Sequence, residues 1–199
     1  MKLFTSLLIL LLVTTSSYGQ DQDFTKKTEL GVSGQVYPAG IIPTINLQHY
    51  FNEKSSLLVR AGLNIVDRQD FSDFNLTEEG TGFGGTVGYR KHYPSGKGEF
   101  IAGINLDVWS LTIDWTDVPP FPVDPSINIV PISGSTYTLV VQPWLEGGYF
   151  LPIKNTTSKI GLTLGFGREI NAITSGDEVE QDFIGSISCL LYTSPSPRD

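Results

Sequence analysis

Cysteine occurs once in the 199 residues, at Cys189, and histidine only twice, at His49 and His92. An internal disulfide and a thiolate metal cage therefore have no residues to form from. Cations are scarce as well: 13 Lys and Arg stand against 21 Asp and Glu, for a net charge of −8 and a pI near 4.7. That balance excludes the clustered positive charge with which nucleic-acid-binding proteins neutralise phosphates. No apolar run approaches the roughly 20 residues of a membrane-spanning helix, and beyond the first residues no stretch keeps a helical period over three turns. What the chain has in quantity is alternation at period two, punctuated by glycine-, proline- and serine-rich turns.

The two ends are set aside before the alternation is read. Met1-Lys2, the apolar stretch at 3–13 and the small residues Ser17 and Gly19 around Tyr18 form the pattern of a secretory signal peptide, 1–19, with Gln20 as first mature residue. No cysteine follows the cleavage site to carry a lipid. At the other end CLLYTSPSPRD, 189–199, resembles the translated product of a sequencing adapter and is treated as non-native. The single domain then expected is 20–188, without cysteine and with its last strand truncated at Ser188.

Eight strands are expected: 28–37, 44–51, 56–66, 81–93, 99–115, 137–153, 159–170 and 181–188. Short turns at 52–55, 94–98 and 154–158 carry Asn, Gly, Pro and Ser, the residues turns require. Apart from 38–43, the intervening connections are long: 67–80, 116–136 and 171–180. Short turns on one rim and long loops on the other are the layout of an outer-membrane barrel.

Alternation alone leaves open which face meets water. In 159–170, Ile160, Leu162, Leu164 and Phe166 alternate with Gly161, Thr163, Gly165 and Gly167. The second set, like its counterparts in the other strands, is rich in Gly, Asn, Gln, Arg and Glu, too small and too polar for the dry core of a soluble eight-stranded barrel. The aliphatic set is therefore expected to face hydrocarbon. Tyr50, Phe51, Tyr93, Phe100, Tyr149 and Phe150 cluster beside the short turns and are read as an aromatic girdle at the membrane interface.

With signal peptide, alternating strands, turn chemistry and aromatic placement together, the chain resembles the small eight-stranded outer-membrane β-barrel families, the OmpA-like and OmpX-like transmembrane domains. The resemblance is architectural and no motif fixes a subfamily. It implies an all-β, eight-stranded antiparallel up-and-down transmembrane β-barrel of porin-like kind in the cell outer membrane of a Gram-negative envelope. It also implies insertion by the barrel-assembly machinery, which reads an aromatic residue at the end of the last strand, and a setting of outer-membrane lipid and lipopolysaccharide.

Charges on the inner face of so narrow a barrel must be paired, so Glu29, Arg60, Arg90, Asp107 and Glu146 are expected to form an interior ion-pair network that plugs the lumen. A proton or ion gate is the functional alternative. Gly80-Thr81-Gly82-Phe83-Gly84-Gly85 matches a dinucleotide-binding fingerprint, but a strand follows it where that motif needs a helix, so its glycines are assigned to close packing. No cofactor or metal is expected. Phe121, in the proline-rich 118–125, and the acidic Asp177, Glu178 and Glu180 are the loop binding candidates, with Asp70, Asp73, Glu78 and Glu79 as further loop acids. Arg168, outward at the top of its strand, is the candidate for a lipid phosphate. His49 and His92 lie near the short turns, without a nucleophile elbow, and are expected to be interfacial polar residues. The favoured reading is a non-enzymatic barrel contributing envelope integrity or loop-mediated binding. A secreted lipocalin-like carrier of an apolar ligand and an outer-membrane lipid hydrolase are the alternatives.

Overall fold

The computed structural model describes residues 28–69, 76–117, 131–177, 179 and 183–194. The strands are β1 (Thr28–Tyr37), β2 (Gly40–Asn52), β3 (Ser55–Gln69), β4 (Thr77–Ser95), β5 (Gly98–Asp117), β6 (Ile132–Pro152), β7 (Ser158–Arg168), β8 (Ile170–Ser175) and β9 (Phe183–Thr193). All pairings are antiparallel. Each of β1 to β5 pairs with the next, β5 pairs with β6, β6 with β7 and β8, β7 with β9, and β9 with β1. The sheet thus closes on itself. β7 and β8 both pair with β6, with a one-residue register shift between Leu139 and Val140, and form a single stave interrupted at Glu169, so the ring has eight staves.

Val, Ile, Thr and aromatic side chains recur along the staves because branched and flat side chains pack well on a pleated, half-buried surface. Successive residues point to opposite faces, and accessibility follows that period without a break along most staves, as in β9, where exposed and buried residues alternate throughout. The outer wall is apolar: Leu162 (57% exposed), Leu164 (60%) and Phe166 (60%) on β7 are matched by Ile45, Leu63, Phe83, Ile104 and Leu145 around the ring. These residues face outward, so the lipocalin-like alternative, which needs them indoors, is overturned.

Three tight turns join β2 to β3, β4 to β5 and β6 to β7. In the first, the Asn52 side chain accepts the backbone N–H of Lys54 at 2.9 Å; in the others Gly96 and Asn155 take left-handed φ values of +59° and +61°. At the opposite rim the ladders run further than the sequence reading allowed. β3 continues to Gln69 and β4 begins at Thr77, with Asp67 opposite Glu79 and Arg68 opposite Glu78. β2 likewise begins at Gly40, and β5 and β6 extend to Asp117 and from Ile132. In β3 and β4 hydropathy alternation fades there because both faces turn polar at Asp67, Arg68, Glu78 and Glu79, while the hydrogen-bonded ladder persists.

Beyond Ser188, β9 continues through Cys189 to Thr193, pairing with β1 and β7 and turning Leu190 and Tyr192 inward. The last strand thus runs on to Thr193, past the end at Ser188 expected from sequence.

Candidate functional site

The lumen is filled in layers, starting from the short-turn end. There the Lys159 ammonium lies 2.8 Å from Glu29 and 2.7 Å from Glu99. It also donates to the Tyr50 hydroxyl at 2.7 Å, which in turn donates to Glu29 at 2.9 Å. The rings of Tyr50, Phe150 and Tyr192 surround it at 4.9–5.4 Å from their centroids, a cage whose faces attract a cation. Beside it, His92 Nδ1 is 3.2 Å from Glu99 and Nε2 is 2.8 Å from Ser56 Oγ. A carboxylate only accepts, so the ring proton belongs on Nδ1, and Nε2 accepts from the Ser56 hydroxyl.

One layer higher, Arg90 grips Glu146 with two parallel bonds, Nε to Oε2 at 2.9 Å and Nη2 to Oε1 at 2.7 Å. Its Nη1 donates to Gln48 and to the Tyr192 hydroxyl, and Asn105 donates to Glu146 at 3.2 Å. Both partners are buried, so this bidentate geometry offsets much of the desolvation that an isolated charge would suffer. Arg60 lies with its guanidinium 4.9 Å above the Trp144 ring, and Trp144 Nε1 donates to Asp107 at 2.7 Å. The Nε and Nη2 atoms of Arg60 make no hydrogen bond among the described residues.

The half of the lumen toward the long-loop rim adds a buried apolar cluster to the polar plug expected from sequence. Tyr37, Ile42, Val66, Trp109, Leu111, Ile113, Trp115 and Val140 form one buried cluster. Room for it comes from the glycines of β4. A Cβ at Gly84 would lie 2.6 Å from the Trp109 ring, and one at Gly82 would lie 2.6 Å from Leu111 Cδ2. The same relation recurs lower down, with Phe150 over Gly161 and Trp144 over Gly165. Gly80, Gly82 and Gly84 of the apparent dinucleotide fingerprint thus seat the inward side chains of Ile113, Leu111 and Trp109. Above the cluster, Arg68 bridges Glu78 and Glu169, each at 3.1 Å.

The residues singled out from sequence distribute as follows. Arg90 and Glu146 meet directly; Glu29 is paired with Lys159; Asp107 is held by Trp144, against which Arg60 stacks. Phe51, Tyr93 and Phe100 are exposed on the outer wall, and Tyr149 is half-buried against Phe100 with ring centroids 4.6 Å apart. Tyr50 and Phe150 are corrections to the girdle: both are buried in the lumen. Neighbouring residues on a strand cannot both face lipid, so Phe51 and Tyr149 turn their sequence neighbours inward. His92 is also a correction, being buried in the lumen, whereas His49 packs edge-on against Phe51. Glu78 is a buried strand residue and not a loop acid. Arg168 faces outward with its guanidinium 5.4 Å from the Phe183 ring. Asp177 is exposed, its backbone carbonyl accepting from Thr136. Phe121, Glu178, Glu180, Asp70 and Asp73 lie outside the described residues.

Sequence reasoning missed Lys159, Glu99, Arg68, Glu78 and Glu169. The signal for Lys159 and Glu169 was available, since both share odd parity with the inward Gly161 and Thr163 on one stave. Ser56, His92 and Glu99 stand in the order nucleophile, base and acid, yet Ser56 and His92 are 0% and 1% exposed, walled in by Gln48 and Tyr50. No group of three or more His, Cys, Asp or Glu among the described residues is placed to hold a metal ion.

The outer wall makes this a lipid-facing barrel of the outer-membrane type. No protein-family model and no curated protein matches the chain. Among solved structures it is similar to Neisserial surface protein A (10% identity, 84% of this chain and 94% of that one, TM-score 0.47). It is also similar to the N-terminal β-barrel domain of Pseudomonas aeruginosa OprF (11%, 83% and 96%, 0.40) and to Ail, the attachment invasion locus protein of Yersinia pestis (7%, 84% and 96%, 0.43).

Proposed function

We propose that this chain is a non-enzymatic integral protein of the Gram-negative outer membrane, whose barrel is a closed scaffold that holds its long-loop rim at the cell surface and contributes to envelope integrity. The observation that carries this reading is the inversion of the barrel: large aliphatic and aromatic side chains outside, polar layers and glycine-seated rings inside. An apolar outer wall of this extent has no stable arrangement in water. A lumen filled by Lys159, Arg90, Trp144, Trp109 and Trp115 suits a scaffold better than a carrier, and its ion pairs join staves that are not neighbours in the ring.

Binding is assigned to the rim because the staves are rigid and the loops supply the variable surface. Phe121 and the acids Asp177, Glu178 and Glu180 remain its candidates, and Arg168 is suited to a lipid phosphate at the top of the outer wall. The experiment is expression of the full chain in a Gram-negative host with an epitope tag inserted between Pro120 and Asp124. The tagged protein is expected in the detergent-solubilised envelope, with the tag reached by antibody on intact cells. Recovery in the aqueous periplasmic extract would remove the membrane reading, and a tag hidden until lysis would remove the surface reading.

The lipid hydrolase is the second reading, favoured by one observation, the Ser56–His92–Glu99 chain. It is opposed by burial, because a nucleophile must reach its substrate and be flanked by oxyanion donors. The chain is better explained as satisfying polar groups at the lumen floor.

A further inference from the structure

The solvent-facing charges of the barrel divide by rim. Lys54, Lys97 and Lys154 each stand in one of the three tight turns, and all are exposed. Among the described residues no carboxylate lies within 4.0 Å of their amino groups. Lys91 adds a fourth positive charge on the outer wall itself, its Nζ donating to Ser55 at 2.9 Å and lying 5.6 Å from the Tyr89 ring centroid. On this rim Glu53 is the one exposed carboxylate among the described residues, since Glu99 is engaged by Lys159 and His92. The opposite rim has the reverse sign: Asp67, Glu79, Asp114 and Asp177 are exposed there and Arg168 is the lone exposed cation among the described residues.

Depth decides what the lysines meet. Phe51, Tyr93, Phe100 and Tyr149 lie on the outer wall within a few residues of the three turns, and rings in such a belt sit at headgroup level. The lysine stems start at or just beyond that level, so their ammonium groups fall among the headgroups and at the leaflet surface. A zwitterionic headgroup presents an ammonium of its own beside each phosphate. An anionic one presents phosphate without that competitor, and basic residues near such a surface gain about fivefold in partitioning per lysine.

We propose that the short-turn rim is a docking surface for anionic phospholipid headgroups, with Lys54, Lys91, Lys97 and Lys154 holding the phosphates of the leaflet that the short turns face. This inference concerns the rim remote from the long loops and is independent of what those loops bind. It requires only that the barrel stands in a bilayer. The acidic opposite rim repels the same lipids, so the preference is one-sided and gives the barrel an electrostatic orientation.

The test uses the full chain reconstituted in phosphatidylcholine vesicles containing spin-labelled phosphatidylglycerol or spin-labelled phosphatidylcholine, with the lipid population immobilised at the protein read by electron spin resonance. Phosphatidylglycerol is expected to associate several-fold more strongly than phosphatidylcholine at about 10 mM salt. The preference is expected to collapse near 1 M, as the screening length falls from about 30 to 3 Å. The triple variant K54Q/K97Q/K154Q, which leaves every lumen contact intact, should lose most of the preference, and R168Q should keep it. Equal association of the two lipids, a preference insensitive to salt, or a preference lost in R168Q and kept in the triple variant would each overturn the proposal. The salt series on the unmodified chain decides the matter even where a variant fails to insert.

Discussion

Arg90 illustrates how single residues act here as halves of pairs. Its guanidinium and the Glu146 carboxylate are both buried and joined by two bonds. Deleting one partner strands the other charge away from water, which costs about 3–5 kcal/mol, whereas removing both charges is far milder. Arg90→Met is therefore expected to destabilise the inserted barrel by that amount, and Arg90→Met with Glu146→Gln by less than half of it. Urea titration in vesicles, followed by tryptophan fluorescence, measures both. A double variant as unstable as the single one would show that packing, and not the ion pair, carries the effect. Ser56 provides a second case at this scale. Its hydroxyl meets His92 at 2.8 Å, but both residues are sealed inside the lumen. A fluorophosphonate probe is expected to leave the inserted chain unlabelled, with Ser56→Ala indistinguishable from the parent. Labelling that disappears in Ser56→Ala would restore the hydrolase reading.

At the scale of the strand, parity decides the consequence of a substitution. Leu164 faces lipid near the middle of β7, where an arginine on the outer wall of a transmembrane barrel costs about 2–4 kcal/mol. Leu164→Arg is expected to show that loss in the same titration, whereas Thr112→Arg, on the outer face of β5 nearer the rim, should show at most about 1 kcal/mol. Equal costs at the two sites would contradict the assigned depth. The strands themselves, their outward aliphatic face and the short turns were legible in the sequence because a two-residue period needs no knowledge of the partner strand. Three things were not. The rim portions of β3 and β4 lose hydropathy contrast where Asp67, Arg68, Glu78 and Glu79 pair across the ladder. Tyr50 and Phe150 stand beside turns as girdle residues do, but their parity on the strand turns them inward. The Lys159–Glu29–Glu99 and Arg68–Glu78–Glu169 groups join staves far apart in sequence, and only closure of the ring brings them together. The end of β9 belongs to this scale too. Reading the gene past Ser188 is expected to replace 189–199 with a segment that still alternates apolar-out and small-or-aromatic-in and ends on an aromatic residue. A genomic read that returns CLLYTSPSPRD unchanged would make the tail native.

Across the whole molecule, the lumen is filled by unlike layers in series. The half toward the short turns holds charged pairs, around which water can in principle pass when a pair opens. The half toward the long loops holds Trp109, Leu111 and Ile113 seated over Gly84, Gly82 and Gly80, with Trp115 over Gly134 and Val140 in the same cluster, beneath the Arg68–Glu78–Glu169 group, and an apolar constriction bars ions by leaving them no hydration. Seals in series are as tight as the tighter one, so breaking the charged layer alone should not open a path. In planar bilayers the parent chain is expected to give no ion conductance steps, and Arg90→Met with Glu146→Gln should stay equally silent. Trp109→Ala with Trp115→Ala removes two of the largest side chains of the stopper while leaving the pairs of Lys159 and Arg90 in place, and it is the variant expected to leak. Conductance in the charge-pair variant with silence in the tryptophan variant would reverse the assignment and make the polar layers the gate. Conductance in the parent would show that neither layer closes the barrel.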